Sequence, residues 1–169
     1  MRRLLTIFKI AGRNHLYDER GTAVVEFALV SSIFFLLILG IIEFGWYFFV
    51  QHTIHYATRE GTRLALVGVQ LEDEEGNLMT REASIIKTIK DNASIAVNPN
   101  DLLISIYPVG AGYTEPPEWQ TMVNAGEGGD YMQVRTRYIF TFITPLIKPL
   151  FPGCSKVIQA STLFRNELF

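Results

Sequence analysis

The chain has 169 residues, of which 49% are hydrophobic and 19% are charged, and its formal net charge is −2 at pH 7. This balance excludes a strongly basic nucleic-acid-binding protein. The single cysteine, Cys154, excludes an intramolecular disulfide and the usual zinc or redox spacings. We expect Cys154 to be buried as a small hydrophobe, or else to serve as an intermolecular contact.

The long apolar run from Thr22 to Val50 predicts a membrane-spanning helix. At about 1.5 Å per residue this helix would be about 43 Å long, whereas the apolar core of a bilayer is about 30 Å thick. We therefore expect the helix to tilt or to project beyond the membrane, and its pattern continues to about Gly68. Trp46 and Tyr47 would form an aromatic belt at the second membrane interface.

Two carboxylates, Glu26 and Glu43, interrupt the apolar run. They would lie about 25 Å apart along a helix, so both cannot be at mid-depth. A charged side chain in hydrocarbon costs at least about 2.5 kcal/mol, so each carboxylate needs a partner or a function. One arrangement places Glu26 near one membrane face and Glu43 near the other, as a second intramembrane carboxylate. In the alternative, both are interfacial and solvated.

The segment before the run carries an excess of positive charge, from Arg2, Arg3, Lys9, Arg13 and Arg20 against two acids. Basic residues mark the cytoplasmic flank of a span, so we expect a cytoplasmic N-terminus and an extracytoplasmic C-terminus. The apolar region is longer than that of a secretory signal, and no small-x-small cleavage site follows it. The helix should therefore remain in the mature protein.

Three motifs lie in order along this part of the chain: GTAVVEF at 21–27, GIIEFG at 40–45 and ATREGTR at 57–63. Together they resemble the TadE-like family, the minor pilins or pseudopilins of the tight-adherence (Flp, type IVc) pilus system. The first motif, which follows the basic leader, is similar to the processing site of a type IV prepilin. The third supplies the family residues Ala57, Arg59, Glu60, Gly61 and Arg63.

The resemblance implies cleavage between Gly21 and Thr22 by a membrane-embedded prepilin peptidase, with the chain as substrate. The new amine of Thr22 would then lie one turn from Glu26, which could pair with it or with the amine of a neighbouring subunit. Opposite charges attract far more strongly in a low dielectric than in water. The alternative interpretation of Glu26 is an acid favoured by the dipole at a helix N-terminus.

The partners that the resemblance implies are the prepilin peptidase, the major Flp-type pilin, a second minor pilin, the inner-membrane assembly platform and membrane lipid, without nucleic acid. The protein would act in pilus assembly or initiation, adhesion and biofilm formation, from the bacterial inner membrane or within the extracellular pilus. The alternative is an uncleaved single-pass scaffold or sensor. We expect no enzymatic activity, catalytic residue, metal or cofactor.

The predicted fold class is α+β. The domains are a leader at 1–21, a long, partly transmembrane helix at 22–68 and an extracytoplasmic domain at 69–169. In that domain, residue periodicity predicts one helix packed on an antiparallel three-stranded sheet, as in pilins. The predicted elements are a helix at Thr80–Ile95 and strands at Leu102–Tyr107, Tyr131–Ile143 and Lys156–Phe164.

Two further features bear on contacts. Ala57 and Gly61 are small residues four positions apart, which would allow another helix to approach closely. The glycine-rich stretch Gly110–Asp130 predicts a long loop around Trp119. That tryptophan would be either a contact residue or the residue on which the loop packs.

Overall fold

The computed structural model describes residues 19–110, 112–144 and 152–168. Most of the predicted leader lies outside the described residues, as does the apolar, proline-rich segment at 145–151. The chain divides into two compact units, residues 1–37 and 38–169. The first helix, α1 (Glu19–Leu66), contributes residues to both units.

In the first unit, the described part of α1 is an apolar segment whose side chains are exposed. Val24 is 68% exposed, Phe27 73% and Ile33 67%. Within the described ranges, α1 is the helix long and apolar enough to cross a membrane, over Gly21–Leu66, and none of its most apolar window is buried. Side chains of this kind are ordinarily removed from water, so the segment needs an apolar environment that the described chain does not supply.

The second unit contains the rest of α1, a second helix and a three-stranded antiparallel sheet in the order β1-β2-β3. The elements are α2 (Arg81–Ala93), β1 (Leu103–Pro108), β2 (Tyr131–Thr141) and β3 (Ser155–Arg165). A long apolar helix followed by a second helix and an antiparallel sheet confirms the predicted α+β class and the predicted order of elements.

The end of β2 differs from the prediction, because the strand stops at Thr141 and not at Ile143. The amide of Phe142 donates to the carbonyl of Cys154 at 3.0 Å. The amides of Ile143 and Thr144 donate to the Glu43 side chain. Hydrogen bonds to other parts of the chain therefore replace the strand ladder at this point.

Local signals explain α2. Thr80 caps its N-terminus, since its hydroxyl accepts the amide of Ala83 at 3.2 Å. Ser84 is fully buried although it is polar. Its hydroxyl accepts the amide of Leu71 at 2.9 Å and donates to the carbonyl of Thr80 at 2.8 Å, so burial leaves it paired.

One core joins both helices to the inner face of the sheet. Thr58 on α1 and Thr136 on β2 are buried and are joined by a hydrogen bond of 2.9 Å between their hydroxyl oxygens. The predicted alternation of β2 holds, with even-numbered residues inward. The main apolar members of the core are Val50, Ile54, Ile85, Ile89, Ile106, Met132, Val134, Phe140, Phe142, Ile158 and Phe164.

Candidate functional site

The predicted processing residues lie together near the start of α1. Gly21, Thr22 and Glu26 are helical and exposed. A Cβ atom added at Gly21 would meet nothing within 4 Å. Glycine in a helix interior is about 1 kcal/mol less favourable than alanine, so neither helix formation nor packing among the described residues accounts for the glycine at this position.

The second predicted carboxylate, Glu43, lies in the other unit, and the structure does not group it with Glu26. Glu43 is only 7% exposed, so the interpretation of a solvated side chain is wrong for this residue. Its carboxylate accepts the amide of Ile143, and it accepts the amide of Thr144 at 3.1 Å from each oxygen. A charged acceptor for backbone amides makes a strong hydrogen bond, and here it joins α1 to the chain that leaves β2.

Aromatic side chains surround this connection. Tyr47 packs against Phe140 at 5.3 Å between ring centroids, and Phe140 packs edge-on against Phe142 at 5.3 Å. Phe44, which directly follows Glu43 on the helix, contacts Phe142 at 6.4 Å between ring centroids. Trp46 is 46% exposed and packs against Phe49 at 5.4 Å between ring centroids. Of the two residues predicted to form an aromatic belt, Tyr47 therefore belongs to the protein interior and Trp46 to its surface.

The third motif, at 57–63, presents two different faces. Ala57 and Gly61 are buried, and a Cβ at Gly61 would lie 2.4 Å from Cγ1 of Ile89 on α2. This confirms that the small residues allow close approach of another helix, and it shows that the helix is α2 of the same chain. The motif therefore has glycine at position 61 because the Ile89 side chain occupies the space that a Cβ would need.

The charged residues of the same motif face outward. Arg59 is exposed, and Arg63 lies 3.8 Å from Glu60 in an exposed pair one turn apart. Exposed pairs of this type contribute at most a few tenths of a kcal/mol. The structure therefore leaves these three side chains without a strong role inside the subunit.

The loop at 110–130 packs on the outer face of the sheet through Trp119. The Arg135 guanidinium lies 4.1 Å from the centroid of the Trp119 ring, and that of Arg137 lies 4.9 Å away. Glu115, from the same loop, forms a two-pronged ion pair with Arg135. Trp119 is half-buried, so it holds the loop in place, as one of the two predictions for it proposed.

Strand alternation places Arg135 on the face of β2 opposite Val134 and Phe140, and the sequence did not indicate that it would be buried, at 9% exposure. Its neighbour on that face, Tyr107, is also fully buried, and its hydroxyl hydrogen-bonds to Glu115 at 3.2 Å. Burial raises the pKa of Tyr107 to about 12, against a smaller lowering effect from Arg135. The only sequence signal for this cluster was a tryptophan in a long loop that follows a strand.

The remaining features are the single cysteine and the side chains that could bind a metal. Cys154 is half-buried and has a φ of 57° in the turn before β3, so the expectation of burial is wrong. The turn brings the chain into β3. Among the residues that the structure describes, no group of three or more histidine, cysteine or acidic side chains could hold a metal.

A comparison with family models bears on the N-terminal helix. The model described as TadE-like protein matches residues 21–63. The chain carries a TadE-like segment. The resemblance predicted from the three motifs is confirmed, and it supports involvement in the tight-adherence pilus system. The TadE-like segment begins at Gly21 and ends inside α1, before α2 and the sheet.

Searches of curated proteins and of solved structures gave no significant match. The likeness to known proteins therefore rests on the TadE-like segment. Its apolar character and its family support membrane association and contacts with other pilus components. The role of the second unit has to be argued from its own geometry.

Proposed function

We propose that the chain is a minor pilin of a tight-adherence pilus, made as a single-pass protein of the bacterial inner membrane. Its N-terminus would be cytoplasmic, and its α+β domain extracytoplasmic. The observation that carries the proposal is that the family match at 21–63 contains the apolar helix segment whose side chains are exposed. Such a segment can be buried in a bilayer and, after assembly, among the helices of other pilins.

The proposed processing step removes the basic leader by cleavage between Gly21 and Thr22. Support comes from Gly21 itself, because a Cβ atom there would meet no atom of the described residues within 4 Å, and alanine would favour the helix. A requirement of the peptidase for glycine explains a residue that packing in the chain does not. The chain takes part in this step as a substrate, and we propose no enzymatic activity for it.

After cleavage, the ammonium group at Thr22 would lie one helical turn from Glu26. The side chain of Glu26 is exposed on an apolar segment, where an unpaired charge in lipid is costly. Pairing with its own amine or that of a neighbouring pilin removes this cost and fixes how adjacent helices align. The protein would thereby enter or initiate the filament, in contact with the major pilin, a second minor pilin and the assembly platform.

Two glycine substitutions test the processing step. Gly21→Ala should block cleavage, so the protein keeps the larger mass of the full chain in cells that contain the peptidase. Gly40→Ala is the matched control, because this glycine also lies on the apolar helix with nothing within 4 Å of an added Cβ. The control should be processed normally.

Cells without the prepilin peptidase complete the design. There, the unmodified chain should run at the same mass as Gly21→Ala. If the unmodified chain has the same full-length mass with and without the peptidase, the processing proposal is wrong. That result would favour the uncleaved membrane scaffold or sensor.

A further inference from the structure

An apolar groove lies beside Glu43, between α1 and the end of β2. Its volume is about 320 Å³, and we call it the Glu43 groove. Its walls are formed mainly by Leu39, Ile42, Trp46, Phe140 and Ile143. The Glu43 carboxylate is engaged by two backbone amides, so the groove presents mostly hydrocarbon to whatever enters it.

Its position follows from the Glu43 contact. Because Glu43 bonds directly to the amides of Ile143 and Thr144, the end of β2 is held at the level of residue 43 on the helix. Trp46, one turn further, is the kind of residue that lies at a membrane–water interface. If α1 spans the membrane as proposed above, the groove opens at the outer edge of the hydrocarbon layer.

The residues around the groove are apolar and exposed, as expected for a surface at the edge of the hydrocarbon layer. Ile42 is 63% exposed, Trp46 46% and Ile143 78%. Ile143 belongs to the second unit's sheet region and not to the helix, so the apolar surface extends from the span onto the domain. With α1 inserted as proposed above, this surface would be adjacent to the acyl chains of the extracytoplasmic leaflet.

The volume of the groove limits which molecules can enter it. One turn of an α-helix, about 5.4 Å long and 10–12 Å wide, fills roughly 400 to 600 Å³. The groove, at about 320 Å³, is smaller than one helical turn, so a neighbouring helix could place side chains in it but not its backbone. A flexible hydrocarbon chain is narrow enough to enter it, and the volume lies at the lower end of the range of small-molecule sites, about 300 to 1,000 Å³.

We infer that the Glu43 groove binds an acyl chain of a phospholipid from the extracytoplasmic leaflet. The inference depends on the membrane insertion proposed above, but not on cleavage or on pilus assembly. Lipid held there would join the domain to the membrane surface beside the span. It would also fill apolar space that would otherwise be in contact with water.

Photocrosslinking in a membrane tests this inference. The full chain is reconstituted in vesicles of phosphatidylethanolamine and phosphatidylglycerol, with p-benzoylphenylalanine in place of Ile143, and adducts are identified by mass. Two matched chains carry the same probe in place of Leu163, an exposed residue outside the groove, or in place of Ile33 on the apolar segment. Lipid adducts are expected at 143 and at 33, and few at 163.

A filling variant makes the test specific to the groove. Leu39→Trp, added to the chain with the probe at 143, should reduce the lipid adduct, since excluding even one methylene lowers the binding constant about fourfold. Ile41→Trp is the control, because Ile41 is 64% exposed on the same helix and does not line the groove. It should leave the adduct nearly unchanged.

The outcomes separate the two proposals. Three results would contradict lipid binding in the groove but not membrane insertion. They are lipid adducts at 33 but not at 143, adducts at 143 with protein alone, and equal adducts in both tryptophan variants. No lipid adduct at any position, including 33, would contradict membrane insertion and the groove together.

Discussion

The two parts of α1 differ sharply in what covers them. In the first unit, Val24, Phe27 and Ile33 are each more than half exposed, at 68%, 73% and 67%. In the second unit, Ile54 and Ala57 on the same helix are fully buried by the sheet and α2. Burying a large apolar side chain contributes about 1.5 to 3 kcal/mol, so the first part leaves a large stabilisation unused.

The difference shows which features of the helix serve the subunit and which serve its surroundings. Glycine at 61 and carboxylate at 43 are explained by contacts inside the second unit. Glycine at 21 and carboxylate at 26 have no such explanation among the described residues. Substitutions in the packed part should therefore change folding stability, and those in the exposed part should change processing or assembly.

The largest effect is expected for Gly61→Leu. A Cβ at this position would lie 2.4 Å from Cγ1 of Ile89 and 3.3 Å from the carbonyl oxygen of Ile85. Overpacking of this kind costs about 1 to 3 kcal/mol, and we expect the upper end because the backbone of α2 is among the atoms met. Denaturant unfolding of the full chain in detergent measures the change.

The control for this comparison is Gly45→Leu, because this glycine of the same helix is exposed and a Cβ added to it would meet nothing within 4 Å. It should leave the free energy of unfolding within about 0.5 kcal/mol of the original, as expected for a surface substitution. Equal losses of unfolding free energy for both variants would mean that the contact of α1 with α2 does not require glycine at position 61.

An intermediate effect is expected for Glu43→Ala. It leaves the amides of Ile143 and Thr144 without their carboxylate acceptor, and hydrogen bonds to a charged group contribute about 1.5 to 3 kcal/mol. Glu43→Gln should lose less, since its amide oxygen still accepts. Unfolding gives the free energy, and hydrogen exchange should speed up at those two amides first. Unchanged exchange there would contradict the proposed contact.

Glu26→Gln sharpens the same comparison. It should leave the unfolding free energy unchanged, because the side chain is exposed and outside the packed unit. We expect it instead to reduce the amount of protein recovered in sheared filaments, because the proposed partner of the amine is lost. Filament recovery equal to that of the unmodified chain would refute the pairing.

The smallest effect is expected for Arg63→Ala. This side chain is 81% exposed, and its contact with Glu60 is long at 3.8 Å. Its removal should change the unfolding free energy by less than about 0.5 kcal/mol. A clearly larger loss would show that this face of α1 is not simply solvated in the folded subunit.

Local patterns predicted the elements of this fold well. The long apolar run, the capping threonine before α2 and the alternation of the strands depend on neighbouring residues, so they can be recognised in a single sequence. Strand ends were less accurate. The end of β2 depends on Glu43, about a hundred positions earlier in the chain, and no local signal reports such a contact.

The same limit explains the missed side chains. Alternation placed Arg135 on the face of β2 opposite the core, but a loop from an earlier part of the chain covers it with Trp119 and Glu115. The spacing of Ala57 and Gly61 predicted a close helix contact without naming α2 as the partner. The processing residues were predicted from the sequence motif, and the fold adds that a Cβ at Gly21 would meet no atom of the described residues within 4 Å.

The N-terminal residue of the native protein tests the central claim most directly. Protein recovered from cell membranes and from sheared filaments is sequenced by stepwise degradation or by mass spectrometry of its terminal peptide. We predict that the sequence begins at Thr22, with Glu26 as its fifth residue. A chain that begins at Met1 in both fractions would contradict the account.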